Sequence, residues 1–434
     1  MEPAKKRPFL STAVFTLIGR TGGLILPFIV AFFYGAGRET DAFFFAYSLI
    51  FFFVAILTHL YESVLLPYLV ERKDEEGAAE GLAAGIFFLS RPVLGITAMA
   101  ALFLLGPLLS LGSGWDRESS RLVSRFFFEM LPLLIFGAEI ASQNGLFYTR
   151  RIFWYPAVSP LIRFAAVIVF VLILHRSLGA DALTLGLSAG EVFRWAMTCL
   201  LFRSLFRLKS RIDWPKIMPA LRHFFAQAGL QIISIAAVSI VPITNQWFAS
   251  RLGEGSLTLL NYADRLLQIP YILFISGFLQ VFLTDWSENF CGNLPDSFHS
   301  RLRSDFRIVF SGAVLLGACL WFFREPLIQV CYGRSALTGD QLKTVSVIFG
   351  WLALALIPGV MKLLYGRVLL VFRRAGLYCF QSCVELVLNI VLTAVLIRFF
   401  GLAGIVMATA SVYTVTAVWL HFAVKKCKAG EPVS

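Results

Sequence analysis

The sequence predicts an all-α polytopic membrane protein of about twelve transmembrane helices, in two six-helix lobes related by pseudo-two-fold symmetry. Three observations predict it. Apolar stretches follow one another from end to end, each offering the roughly 20 mostly apolar residues that a bilayer crossing needs. Hydrophobic residues make up 58% of the chain and charged residues 15%, where a soluble domain has roughly 45–50% and about 25%; the mean hydropathy is +0.77. Two short Gly-rich turns, about half a chain apart, are alike enough to suggest that the second half repeats the first.

The first lobe takes spans from Phe9 to Tyr34, Asp41 to Val70, Gly81 to Leu111, Leu122 to Tyr148, Phe153 to Leu174 and Ala182 to Phe206. The second takes Ile217 to Ser250, Ser256 to Phe290, Phe306 to Val330, Leu342 to Phe372, Leu377 to Phe400 and Leu402 to Val424. Basic residues mark every second connector: Arg72 and Lys73, Arg150 and Arg151, the run from Arg203 to Arg222, then Arg301, Arg303 and Arg307, then Arg373 and Arg374. About 21 of the 38 Lys and Arg fall there or in the two tails, against roughly nine in the opposite connectors. Positive charge stays on the cytoplasmic side, so both ends are expected in the cytoplasm. The organisation is then an N-lobe over residues 1–206, a basic cytoplasmic linker over 207–222 and a C-lobe over 223–434.

Several functions are excluded. The net charge of +12 is dispersed over short loops beside apolar helices, so it speaks for orientation and anionic headgroups rather than nucleic acid. The seven cysteines are odd in number and lack paired metal-ligand spacing, which makes them small apolar fillers. No Walker, G-x-S-x-G or H-E-x-x-H pattern occurs. The first span is followed by more spans and reads as a retained helix rather than a cleaved signal. No connector is long enough to enclose a soluble core.

Function must therefore sit on the few polar groups left within the spans. A charge at mid-bilayer costs at least about 2.5–3.5 kcal/mol, so one that remains faces a wet cavity or a partner. Arg20 lies near the middle of span 1, and Arg265 lies well inside span 8 next to Asp264. A guanidinium grips phosphate oxygens in a bidentate fork and stays charged at any relevant pH. Either these two arginines meet a substrate anion, or each neutralises an internal carboxylate, Arg265 with Asp264 or Glu254. Asp41, Lys362 and Arg367 join them as candidate substrate residues; Arg163 and Arg194 are further buried cations, with Glu191 three residues before Arg194 on one helix face.

Glu385 and Asn389 in span 11 are four residues apart, and Thr393 follows one turn on. That stack of hard oxygens suits Na+ or a proton-linked carboxylate; equally, it suits a hydrogen-bonded helix contact. His59 with Glu62, and Glu139 with Gln143, form similar polar faces. Pro27, Pro67, Pro132, Pro242, Pro270 and Pro358 fall inside spans, where each frees a carbonyl and bends its helix.

The turn Gly35-Ala36-Gly37, followed by Thr40-Asp41-Ala42-Phe43-Phe44, and its counterpart from Phe248-Ala249-Ser250 through Gly255-Ser256 to Tyr262-Ala263-Asp264-Arg265-Leu266 carry a family resemblance, with Gly19-Arg20 upstream. They resemble the MurJ/MviN lipid II flippases of the MOP (multidrug/oligosaccharidyl-lipid/polysaccharide) exporter superfamily, and the likeness extends more weakly over the whole chain. The resemblance implies MOP/MATE-like lobes around a cationic cavity. It implies a polyprenyl-linked saccharide lipid as substrate, a sodium site in the helix of Glu385, and cell-envelope synthesis proteins as partners. Typical members carry two further C-terminal spans that form a lipid-tail groove; this sequence stops after its twelfth span, which leaves such a groove unaccounted for. The family's first-span pattern has an arginine and an aspartate where this chain has Leu26 and Pro27. Its second span has arginines at Val54 and Ala55, and its carboxylate after Arg265 is Gln268 here.

The expected activity is translocation of an undecaprenyl-(pyro)phosphate-linked saccharide, lipid II or a relative, by alternating access, with Na+ or proton coupling and no other cofactor. The missing arginines keep an exporter of O-antigen or exopolysaccharide units in play. An integral-membrane glycosyltransferase is the rival from another class, but it needs a sizeable external loop, and every connector on that side is short.

Overall fold

The computed structural model describes residues 22–59, 114–149, 152–205, 214–272, 295–372 and 374–426, with isolated positions at Gly19, Gly95, Met99, Leu102, Phe103 and Gly106. Arg20, Glu62, Pro67, most of the third expected span and the end of the eighth lie outside the described residues. All regular structure among the described residues is helical. The helices are α1 (Gly22–Tyr34), α2 (Arg38–His59), α3 (Arg117–Glu129), α4 (Leu131–Thr149), α5 (Trp154–Val158), α6 (Pro160–Leu178), α7 (Asp181–Leu205), α8 (Trp214–Ala249), α9 (256–272), α10 (Pro295–Phe322), α11 (Arg324–Tyr332), α12 (Gly339–Val371) and α13 (Ala375–Lys426). Among the described residues seven helical stretches are long and apolar enough to cross a membrane, the last a double length of 51 residues from Gly376 to Lys426.

Three expected spans are broken, each beside a proline. The fourth divides at Met130 into α3 and α4, the fifth divides at Ser159 into α5 and α6, and the ninth divides at Phe323 into α10 and α11. Pro132 and Pro326 sit just after their breaks, and Pro160 opens the second piece of the fifth span. Lacking an N–H, and crowding the carbonyl four residues back, a proline starts a helix more readily than it continues one. The long helix α13, by contrast, contains a corner: its backbone turns at Gly401 with φ 55° and ψ −132°, a conformation only glycine adopts without strain. That corner separates the eleventh expected span from the twelfth.

The chain forms two compact units, the first comprising Met1–Tyr34 and Arg38–Ser239, the second Gly35–Gly37 and Ile240–Ser434. The division falls within α8. In the first unit, α6 packs along α7 and α2 packs on α3 and α4. The α6–α7 contact is made by Gly186 and Gly190, four residues apart on one face of α7. A Cβ on Gly190 would lie 2.8 Å from both Cα and the carbonyl oxygen of Arg163, and one on Gly186 would lie 3.0 Å from the Cα of Val167. Small residues at this spacing let two backbones approach where lipid supplies no hydrophobic drive. At the start of α3, Asp116 caps the helix by accepting from the Ser119 N–H at 2.7 Å. Hydrogen bonding from Ser119, with the nearby Arg38 adding to it, holds the Asp116 carboxyl below the usual carboxylate range.

In the second unit, α12 packs along α13 and α10 lies against α12. Phe306, Val309, Leu356, Val360, Leu364 and Leu420 form its apolar core. Thr338 and Gln341 close a reciprocal capping box at the start of α12, with bonds of 3.0 and 3.3 Å. The Gly35–Gly37 turn belongs to this unit. Its Gly35 carbonyl accepts from Tyr262 Oη at 2.6 Å, and its Ala36 carbonyl accepts from Gln341 Nε2 at 3.2 Å. Tyr262 stacks on Tyr332 at 5.3 Å. Residues of both Gly-rich motifs thus meet: a Cβ on Gly255 would come within 3.1 Å of the Ala36 carbonyl oxygen.

Substituting Gly190→Ala forces α6 away from α7. Overpacking of this kind costs about 1–3 kcal/mol, so the thermal midpoint of the detergent-purified protein is expected to fall by several degrees, while Gly37→Ala, which meets nothing within 4 Å, leaves it unchanged.

Candidate functional site

The second unit carries the polar residues that the sequence singles out. On α9, Arg265 donates through Nη1 to Gln268 Oε1 at 3.1 Å, and Gln268 donates through Nε2 to Asp264 Oδ2 at 2.7 Å. Gln268 thus stands between the cation and the carboxylate. Among the described residues Arg265 forms no direct ion pair, and Asp264 acts on it electrostatically from across the bridging Gln268. The glutamine at this position spends its two ends on holding Asp264 and orienting Arg265, and the guanidinium keeps its remaining N–H groups.

Lys362 behaves differently. Its ammonium lies 2.5 Å from Glu385 Oε1 and 4.1 Å from the centre of the Tyr413 ring. The other Glu385 oxygen accepts from Gln381 Nε2 at 2.6 Å. Glu385 is 3% exposed, and burial of a carboxylate in apolar surroundings requires such compensation. Arg367, one helix turn and a half beyond Lys362, is exposed. Among the described residues it forms no ion pair.

Glu385 and Asn389, expected to share one cation, are drawn to different partners. Asn389 Nδ2 donates to Thr409 Oγ1 at 3.3 Å, and Asn245 Nδ2 donates to the same hydroxyl at 3.3 Å. The side-chain oxygens of Asn245, Asn389 and Thr393 are buried without a hydrogen-bond partner in the described structure. These are three neutral oxygens. With both Glu385 oxygens engaged, the residues do not fit an Na+ ion held jointly by Glu385 and Asn389.

The first unit holds the remaining charges. Asp41 lies in the first turn of α2 and is 2% exposed; a carboxylate there complements the helix dipole. Arg163 and Arg194 both converge on Glu191, with Nη1 to carboxylate distances of 3.2 and 3.0 Å. Glu191 is fully buried and both arginines are 8% exposed. Arg194 Nε also donates to Ser159 Oγ at 3.1 Å, and the Arg163 guanidinium lies 5.2 and 4.8 Å from the Phe51 and Phe164 ring centres. Val54, where the family pattern has an arginine, lines Gly137 beside Glu191. Glu139 accepts from Trp195 Nε1 at 2.9 Å, while Gln143 turns to Cys199.

Some members of these clusters carry a local signal and some carry none. Gln381 stands four residues before Glu385, a spacing at which helix side chains meet. Asn245, Thr409 and Tyr413 come from other helices and carry no sequence mark of their role.

Comparison with known proteins places this arrangement. The model of the family described as "Lipid II flippase MurJ" matches residues 30–433. A lipid II flippase MurJ from Burkholderia cenocepacia is 25% identical over 364 residues, covering 78% of this chain and 68% of the relative. A probable lipid II flippase MurJ from Vibrio cholerae is 26% identical over 422 residues, covering 91% and 78%. Among solved structures, a lipid II flippase MurJ in an inward closed conformation superposes with a TM-score of 0.80 at 20% identity, over 96% of this chain and 88% of the other. An inward-facing MATE family transporter of the MOP superfamily gives 0.74 at 16% identity, over 95% and 98%. At these identities the structural likeness establishes the fold, a twelve-helix MOP-type arrangement.

Removing the carboxylate alone, as Glu191→Leu, leaves two buried guanidiniums facing each other and is expected to destabilise the protein by about 3–5 kcal/mol. Replacing all three partners together, as Arg163→Met, Glu191→Leu and Arg194→Met, should recover most of the thermal midpoint, which a fluorescence melting curve will read.

Proposed function

The chain belongs to the lipid II flippase MurJ family, and we propose that it carries an undecaprenyl-pyrophosphate-linked saccharide, lipid II itself or a close relative, from the inner to the outer leaflet by alternating access. It is a multi-pass membrane transporter of a lipid-linked substrate, not an enzyme. The observation that carries the substrate reading is Arg265: a guanidinium within an apolar helix whose one described hydrogen bond goes to a neutral glutamine. A charge kept in such a place without a direct carboxylate contact is poised for an anion. Arg367 is exposed in the same unit and adds a second positive group, and Asp264, held by Gln268 next to Arg265, would serve as an acceptor for sugar hydroxyls. Lys362 drops out of the substrate set because Glu385 holds it. Arg20 is retained as the corresponding cation of the first span.

Family membership supports a bacterial cytoplasmic membrane location, and the alternation of basic connectors supports both termini on the cytoplasmic side. A second reading, export of another carrier-linked oligosaccharide unit, is favoured by one observation: where the family pattern has arginines, this chain has Val54 and Ala55, and Leu26 is buried as part of the apolar core.

In proteoliposomes loaded with fluorescent lipid II, Arg265→Ala is expected to slow flipping about 10- to 100-fold, the loss of one charge-assisted contact of about 1.5–3 kcal/mol. Arg265→Lys should retain part of the rate, and both should melt like the parent. Wild-type rates for both Arg265→Ala and Arg20→Ala would remove the assignment, and faster transport of a different carrier-linked saccharide than of lipid II would select the second reading.

A further inference from the structure

We propose that the Lys362 ammonium is a tethered counter-ion, standing where a mobile cation would otherwise sit on Glu385, and that it makes the second unit independent of Na+. The proposal is separate from which lipid is carried. It rests on how completely Glu385 is satisfied. One carboxylate oxygen receives Lys362 Nζ at 2.5 Å and the other receives Gln381 Nε2 at 2.6 Å. The face of the Tyr413 ring, 4.1 Å away, stabilises the ammonium from a second direction.

The charge balance is closed by this pair. Lys362 and Glu385 sum to zero, so an added Na+ would leave a net positive charge in a low-dielectric interior and would lie next to an ammonium. A lysine anchored on α12 also competes with free ions at a high effective concentration, because its encounter with Glu385 is intramolecular. The remaining oxygen donors nearby, on Asn245, Asn389 and Thr393, are neutral. They lack the carboxylate that would draw a hard cation out of water. Asn389 and Asn245 instead converge on Thr409, tying α8 to both halves of α13.

The test is thermal unfolding of the purified full-length protein in about 100 mM NaCl and in choline chloride of the same ionic strength. The parent is expected to melt at the same temperature in both. Lys362→Gln bares Glu385; its midpoint should fall, and should rise by at least about 2 °C when Na+ replaces choline, because a ligand that binds only the folded state stabilises it. The neutral pair Lys362→Gln with Glu385→Gln should lose that response. An Na+-specific rise in the parent, abolished by Asn389→Ala or Thr393→Val, would overturn the proposal by locating the ion on the neutral oxygens. So would a folded Lys362→Gln protein indifferent to Na+. Where Lys362→Gln yields no folded protein, an Na+ response in the parent still refutes the idea, and recovery of folding in the neutral pair with no response in the parent supports it.

Discussion

Hydrocarbon tolerates an ionised side chain only when a fixed partner or water answers it, and this constraint governs the intramembrane charges among the described residues. Glu191 is answered twice, by Arg163 and Arg194, and serves to hold α6 to α7. Glu385 is answered by Lys362 and Gln381 and holds α12 to α13. Arg265 meets no carboxylate directly; a glutamine on its own helix bridges it to Asp264. Among the described residues Arg163, Arg194 and Lys362 each meet a carboxylate directly, whereas Arg265 is linked to one only through the bridging Gln268.

The frame that delivers these groups is built by backbone contacts rather than by large side chains. Gly186 and Gly190 bring α7 onto α6, and that close approach is what sets Glu191 within reach of Arg163. Prolines cut three spans into helix pairs at Met130, Ser159 and Phe323, and Gly401 turns α13 back on itself. The two Gly-rich turns that carry the family resemblance are packing devices: Tyr262 bonds to the Gly35 carbonyl, and Gly255 lies against Ala36. Their sequence pattern follows from a steric demand, since any Cβ at Gly35 would meet the Ala336 carbonyl at 3.0 Å and would have to hold φ at +67°.

Span positions are legible because their cause is local. About 20 apolar residues suffice to cross a bilayer whatever surrounds them, and the expected ranges from Leu342 to Phe372, Leu377 to Phe400 and Leu402 to Val424 agree with α12 and the two halves of α13. The pairing of Glu191 with Arg194 is legible too, the two being three residues apart on one helix. Arg163 as its second partner is not, because it comes from α6. The stack of Glu385, Asn389 and Thr393 illustrates the limit: the helix does align them, yet Glu385 turns to Lys362 and Asn389 to Thr409, partners 23 and 20 residues away in the chain.

By itself, then, the sequence determined that the chain is a helical membrane protein and, among the described residues, where many of its spans run and which charges they carry, since hydropathy and helical spacing act over a few turns. Only the tertiary structure decided which of those charges are answered. Ion pairing is a matter of distance between helices, and the separation at which Lys362 meets Glu385 while Arg265 meets only Gln268 is set by packing that no local pattern encodes.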